Sequence, residues 1–384
     1  MSSTALKTYL LELLRRSGPI PFERYMLLCL YHPEFGYYMQ GGERTGVRGD
    51  YFTSADLHPV FARLVARQAA EMWESLGCPR PFTWVEMGAG RGLFACDFLS
   101  WVEKGRPDFL EALEYVALEP GARQRARIEE RLAQAGLSGR VRLLSNLEEV
   151  PSITGCFFSN ELVDAFPVAV VTRREGHLKE IFVTAGDEEF RELPGQISDP
   201  AIAGYVARYA NQLEEGCRVE VNRHARQWIR LVAEKLARGF VLTIDYGDIA
   251  EHLYTQDRPR GTLLAYRGHT ATEDFYSAPG ECDMTAHVNF SALMDAGREA
   301  GLDVAGFTTQ ERFLLGLGED NEFADLYDAG QSEVERLQAR LKLKRLISPA
   351  GMGSIFKVLI QQCTPALSKL TGLRFVRLPE RQAA

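Results

Sequence analysis

The sequence predicts an open α/β fold: a Rossmann-like sheet, a helical extension before it and an α+β region inserted into it. Three observations carry this expectation. The stretch Trp84-Val85-Glu86-Met87-Gly88-Ala89-Gly90-Arg91-Gly92-Leu93-Phe94 reads as an apolar strand, an acid, a glycine turn and a helix start. From Phe82 onward, short apolar runs alternate with helical patterns, which is the rhythm of βαβ units. Polar clusters then recur at the C-terminal ends of the apolar runs, where open α/β sheets bind ligands.

The glycine stretch narrows the ligand. Glycines at 88, 90 and 92 permit a sharp turn and a close approach of main chain to ligand. Leu93 stands where the dinucleotide pattern wants a third glycine, and no Lys-Ser or Lys-Thr pair follows to make a P-loop. Glu86 precedes the turn. A carboxylate there gains little from a phosphate, whereas the sulfonium and α-amino group of S-adenosylmethionine gain from it. The plain alternative is a glycine turn that binds nothing.

Composition sets the outer bounds. The 384 residues are 46% hydrophobic and 25% charged, ordinary for a globular chain with a large core, in one elaborated domain or two. A formal net charge of −8 argues against general nucleic-acid binding. Seven cysteines lie without zinc-finger or redox spacing, as expected of reduced thiols in a cytoplasmic protein. No apolar run reaches membrane-spanning length, so no membrane insertion is expected, and Leu10 to Leu14 is too short and too acidic for a signal peptide.

In chain order, residues 4–16 and 22–30 have helical spacing, separated by Gly18-Pro19. An aromatic turn, Tyr31-His32-Pro33-Glu34-Phe35-Gly36-Tyr37-Tyr38, leads into a glycine-rich loop from Gly41 to Gly49. Ser54 or Asp56 is expected to cap a helix from Pro59 to Leu76, and a Thr53-Ser54 pair can equally hydrogen-bond a cofactor. Strands are expected at 83–87, 113–118, 141–144 and 156–159. The second ends at Glu119, placed to accept hydrogen bonds from ribose hydroxyls, or else simply to cap the next helix. The helix 121–135 is rich in arginine and reads as a solvated face. Asn146 follows the third strand, where an adenine can be read, and Asn160-Glu161 with Asp164 follow the fourth. A hairpin is expected across Glu175-Gly176, then an irregular stretch over 184–218 with one helix near 200–213. Glu220 precedes a helix 222–237, and Phe240 to Ile244 is a strand ending in Asp245-Tyr246. Residues 249–289 form a long excursion with His269, Asp283 and His287, whose spacing does not suit a metal, and none is expected. A helix from Phe290 to Ala300, strands at 305–313 and 354–360, and a basic helix at 331–346 complete the chain, with a peripheral tail beyond 363.

With these pieces in hand the chain resembles the MidA-like proteins, the group of the mitochondrial complex I assembly factor and its bacterial relatives. The resemblance covers about Pro21 to Gln361. It rests on Tyr31-His32-Pro33 with Gly36-Tyr37-Tyr38, on Gly49-Asp50-Tyr51-Phe52-Thr53-Ser54, and on Glu86-Met87-Gly88-Ala89-Gly90-Arg91-Gly92. It rests further on Asn160-Glu161 with Asp164-Ala165-Phe166-Pro167, on Asp245-Tyr246-Gly247, and on Asp283-Met284-Thr285-Ala286-His287-Val288. Ala89 and Phe166 depart from the pattern, where Pro and Leu are usual. The family is similar to class I S-adenosylmethionine methyltransferases, and its eukaryotic members are understood as protein arginine methyltransferases acting on a complex I subunit. Those members carry a long leader that is not seen here, which implies a bacterial, cytoplasmic member.

The resemblance implies a class I methyltransferase sheet with S-adenosyl-L-methionine as cofactor. Thr53, Ser54, Glu86, Gly88, Gly90, Gly92, Glu119, Asn146 and Asn160 are its expected cofactor residues. Glu161, Asp164 and Glu220 are the carboxylates expected to hold a guanidinium, with His287 as a proton acceptor. It also implies a protein substrate, a respiratory-complex subunit among the candidates, and allows a homodimer. The expected division is a helical extension over 1–80, a cofactor-binding core over 81–167 and 239–361, an inserted substrate region over 168–238 and 249–289, and a tail over 362–384. Methylation of a small molecule, or a non-catalytic assembly role that keeps the fold, are the competing readings.

Overall fold

A computed structural model describes residues 2–40, 46, 49–50, 53–364 and 369–376. The Tyr51-Phe52 pair and most of the Gly41–Gly49 loop therefore lie outside the described residues. The chain forms two compact units, one of residues 53–161, 230–246 and 297–384, the other of 1–52, 162–229 and 247–296.

The first of these holds the glycine stretch. It opens with α1 (Ser54–Leu57) and α2 (Val60–Ser75). Then come β1 (Phe82–Met87), α3 (Leu93–Gly105), β2 (Leu113–Leu118), α4 (Ala122–Gln134), β3 (Val141–Leu144) and β4 (Ile153–Asn160). The chain returns in β5 (Leu236–Asp248), whose last two residues belong to the other unit, and in β6 (Asp303–Thr309). It closes with α5 (Gln310–Gly318), α6 (Glu333–Ile347), α7 (Met352–Ile355) and β7 (Phe356–Gln362). The strand order is β6-β7-β5-β4-β1-β2-β3. All pairs from β5 to β3 are parallel, and β7 runs antiparallel to both of its neighbours. The order reverses between β1 and β4, so their C-terminal ends form the switch point at which such sheets bind ligands.

Every residue of β1 is buried, as a strand covered on both faces requires. One face carries an aromatic stack: Trp84 lies 5.2 Å from Phe158, and Phe94 of α3 lies 4.6 Å from Phe158. In α4 only Ile128 and Leu132 are buried, so its arginines do lie on a largely solvated face. Residues 53–80, expected with the N-terminal extension, sit in this unit because α2 packs on α3, with Phe61 6.1 Å from Phe94. Part of the tail is bound as well, since the Thr371 and Gly372 amides donate to Glu71 and Gln68 of α2.

The other unit contains the two N-terminal helices, Ser2–Ser17 and Phe22–Tyr31. They pack on an antiparallel sheet in which His177–Ala185 pairs with Ala169–Arg174, Phe190–Gly195 and Ile20–Pro21, and Arg218–Val221 pairs with Ala169–Arg174. The alternation is legible in the cores: Val168 and Val170 face one apolar cluster, Ala169 and Val171 the other. The hairpin turn falls at Glu175-Gly176, both with positive φ, as expected. The stretch 184–218 is less irregular than expected. Its helix is Pro200–Tyr209, and Phe190–Gly195 is an edge strand, a position that tolerates Pro194. The excursion 249–289 also contains short strands, Leu264–Arg267, Thr270–Thr272 and Asp283–Thr285, in a small antiparallel sheet. Among the described residues no helix is long and apolar enough to cross a membrane.

Candidate active site

Register assembles the site. Leu144, Leu118, Met87, Ser159 and Thr243 share one row across β3, β2, β1, β4 and β5. The next residue on three of these strands is Glu119, Gly88 or Asn160, so the polar clusters read from the sequence lie side by side on one edge. Gly88, Gly90 and Gly92 have φ of 77, 52 and 72°, and a side chain at any of them would be strained. A Cβ built on Gly90 comes no nearer than 3.9 Å to a neighbouring atom, so the turn faces open space there. A Cβ on Gly92 would lie 3.0 Å from Ile128 Cγ2, so the absence of a side chain there lets the loop pack on α4.

Two acids flank the turn. Glu86 is 4% exposed and accepts the Tyr115 hydroxyl at 2.7 Å. Burial pushes its carboxyl up to about 8; the Tyr115 bond opposes this and the nearby Glu119 charge adds to it. Glu119, also buried, accepts the Gly121 amide at 3.0 Å, and its main-chain carbonyl accepts Arg125. A cation placed between these carboxylates relieves both burial and mutual repulsion, and a diol can donate to Glu119. The residues present therefore fit a ligand that carries positive charge and a ribose.

Glu161 follows β4 in the left-handed region, with φ of 53°, a conformation rare for a residue with a side chain. Its amide donates to the Ile244 carbonyl at 3.0 Å. Its Oε1 accepts the Ser54 amide at 2.9 Å and the Asn160 Nδ2 at 3.0 Å. These bonds fix the Asn160 side chain, whose Oδ1 is buried with no hydrogen-bond partner among the described residues.

The helix expected from Pro59 is α2, and neither Ser54 nor Asp56 caps it: its N-cap is Pro59, which makes no side-chain cap bond. Ser54 and Asp56 lie instead in α1, whose N-cap is Thr53, in a capping box with Asp56. Asp56 also forms an ion pair with Arg91 of the glycine turn, which ties that turn to the helix that presents Ser54 to Glu161. The Ser54 hydroxyl is 3.2 Å from Gln310 Oε1, and Gln310 Nε2 donates to the Leu346 carbonyl of α6 at 3.0 Å. Tyr115, Arg91 and Gln310 were not singled out from the sequence. Tyr115 was legible in principle, as a tyrosine inside the strand that leads to Glu119; the structure pairs it with Trp84.

The remaining candidates lie elsewhere. Asn146 is exposed at the edge after β3, where its Oδ1 caps the turn Leu147–Glu149 and its Nδ2 donates to Glu149 at 2.9 Å. Asp164, Glu220 and His287 belong to the other unit. The Glu220 carboxylate is buried and accepts the Thr262 amide, the Thr262 hydroxyl and the Leu263 amide at 2.9, 3.0 and 3.2 Å. These bonds make it the clamp of the 261–263 loop rather than the third guanidinium ligand expected from the sequence. The His287 amide donates to the same Thr262 hydroxyl at 3.0 Å, and the buried Asp164 accepts the Ala286 amide through its main-chain carbonyl.

Known proteins resemble this chain over most of its length. A crystal structure of a "likely methyl transferase" from Burkholderia thailandensis, bound to S-adenosyl-homocysteine, superposes with a TM-score of 0.88 at 32% identity, covering 98% of this chain and 96% of that one. The Drosophila melanogaster protein named "Protein arginine methyltransferase NDUFAF7 homolog, mitochondrial" is 27% identical over 368 residues, covering 89% of this chain and 81% of its own. The Homo sapiens protein of the corresponding name is 26% identical, covering 92% of this chain and 82% of its own. Residues 64–308 match the family described as "Putative S-adenosyl-L-methionine-dependent methyltransferase". The expected MidA-like family, class I methyltransferase fold and cofactor are borne out, and the chain belongs to this family of S-adenosyl-L-methionine-dependent methyltransferases.

Proposed function

We propose that this methyltransferase acts on arginine side chains of a protein. The observation that carries the reading is Glu161. It is a carboxylate held in a strained backbone conformation at the switch point, with one oxygen already fixed by two donors. Such strain persists only where the surroundings over-determine it, and it concentrates at working sites. A guanidinium is recognised by planar acceptors, and Glu161 beside the buried Asn160 Oδ1 supplies two of them. The names of the curated relatives support the same substrate class.

When bound, S-adenosylmethionine supplies an electrophilic methyl group on a sulfonium. Glu86 would hold its α-ammonium side and Glu119 its ribose hydroxyls, and the glycine turn would let the main chain approach it. Glu161 and Asn160 would orient one guanidinium nitrogen for in-line attack; as its bond to the methyl carbon forms, the carbon–sulfur bond breaks, the electron pair stays on the sulfur of departing S-adenosyl-homocysteine, and the nitrogen sheds a proton. The main contribution of these residues is orientation. Glu161 additionally stabilises the cation and shares in accepting the proton.

The test is transfer of labelled methyl from S-adenosylmethionine to lysate proteins, with mass spectrometry of the labelled residue. Labelled protein arginine is expected; label confined to small molecules or other side chains overturns the reading. Glu161→Gln is expected to lower transfer by about 100-fold or more while leaving cofactor affinity, measured by calorimetry, within about threefold.

A further inference from the structure

Helix α6 is poorly held by its own unit. Of its residues only Ala339, Leu343 and Leu346 are buried, and Ser332 through Gln338 are all exposed. Val334, Leu337 and Leu341 are 66, 57 and 56% exposed at helical spacing, forming a stripe that points away from the buried three. α7, which packs on α6, adds the half-exposed Ile355. A two-faced helix of this kind gains most of its stability from tertiary packing, and here the packing on one face is absent.

The charges around the stripe select the occupant. The first turn is acidic at Glu333 and Glu335, and the last is basic at Lys344 and Arg345. Arg336 and Arg340 lie over the Tyr327 ring at 5.4 and 5.8 Å and are already engaged. The side chains of Glu333, Lys342 and Lys344 make no hydrogen bond or ion pair among the described residues, whereas Glu335 Oε2 accepts the Ser332 amide and hydroxyl in the helix's capping box. Helical geometry puts Glu333 and Lys344 on one flank of the stripe, and Glu335 and Lys342 on the other. If two copies of α6 lie antiparallel, one register, centred between Gln338 and Ala339, sets Glu333 opposite Lys344 and Glu335 opposite Lys342. The same register brings Leu337 and Leu341 of both copies to the seam. A twofold contact repeats each pair, giving four charge pairs around an apolar strip.

We propose that this face of α6 is a homodimer interface, formed by antiparallel pairing of α6 with the α6 of a second copy of this chain. The contact is one helix wide, below the size of obligate interfaces, so the association is weak and concentration-dependent.

Sedimentation analysis of the full chain tests this. The wild type is expected to show a monomer–dimer equilibrium up to about 200 µM. Glu333→Lys with Glu335→Lys, and separately Lys342→Glu with Lys344→Glu, are each expected to weaken self-association about tenfold or more. An equimolar mixture of the two variants is expected to restore it. Leu337→Glu with Leu341→Glu abolishes the dimer without moving the circular-dichroism melt, since both positions are exposed. A wild type that stays monomeric over the whole range, or a dimer indifferent to all three double variants, overturns the proposal. So does a monomer that binds phosphatidylserine vesicles through Lys342 and Lys344, which would make the face a membrane contact.

Discussion

At the scale of single residues, the decisive group is Glu86. Its carboxyl, pushed up to about 8 by burial, is mostly protonated at neutral pH in the free protein. Because the folded value is raised, its contribution to stability is present below the ordinary carboxylate range and is lost as pH rises toward 8. A cationic ligand favours the charged form and reverses the shift. Binding S-adenosylmethionine at pH 7 should therefore release a fraction of a proton, and affinity should rise with pH up to about 8. Calorimetry in Tris and in phosphate should give different apparent enthalpies for the wild type, and the same enthalpy for Glu86→Gln. Equal enthalpies for the wild type would show that Glu86 does not meet the cation. Glu86 and Glu119 were legible in the sequence because each ends an apolar run and precedes a turn. The positions of Glu220 and of the α1 cap were not. Glu220 is satisfied by Thr262 and Leu263, and nothing in the sequence announces that long-range pairing. Asn146 was placed at the right edge, yet its side chain is committed to a local turn.

At the scale of elements, the strands of the main sheet were readable because burial on both faces leaves near-continuous apolar runs. The short strands at 190–195, 264–267 and 283–285 were not, since strands of three to six residues carry too little alternation to stand out from loop. The expected strand 305–313 ends at Thr309, because that residue's side chain accepts the Arg312 amide and starts α5. How tightly the sheet is drawn together shows at Gly155 of β4. A Cβ there would lie 1.9 Å from the Thr83 carbonyl oxygen of β1, main chain against main chain, with no flexible side chain to yield. Gly155→Ala should force β1 and β4 apart at their paired segment, at a cost of about 3 kcal/mol or more. Denaturant titration would register it, and a loss below about 1 kcal/mol would show that the two strands can separate cheaply. The pair also carries Glu86 and Asn160 at its far end, so a variant that folds should bind S-adenosyl-homocysteine more weakly.

At the scale of the whole molecule, the chain leaves and re-enters each unit repeatedly, with divisions at 52/53, 161/162, 229/230, 246/247 and 296/297. The second of these follows Glu161 immediately, so the residue expected to orient the substrate is the last of its unit before the chain departs. β4 and β5 are neighbours in one sheet, yet the chain between them passes through residues 162–229 of the other unit. The entropy of closing so long a connection grows only slowly with its length, which is why an insertion of this size is tolerated. The residues expected to meet the cofactor are Thr53 and groups at the C-terminal ends of β1, β2 and β4, so a ligand bound to them would require the central sheet of the unit to be intact. S-adenosyl-homocysteine at about 100 times its Kd should accordingly stabilise the native chain by about 2.7 kcal/mol, by mass action alone. In a thermal scan the transition that reports the unit of residues 53–161, 230–246 and 297–384 should rise by several degrees. If the two units melt separately, only that transition should move at low ligand excess. A saturating ligand that moves neither transition would mean that the edge built from Glu86, Gly88, Glu119 and Asn160 does not hold the cofactor in the folded chain.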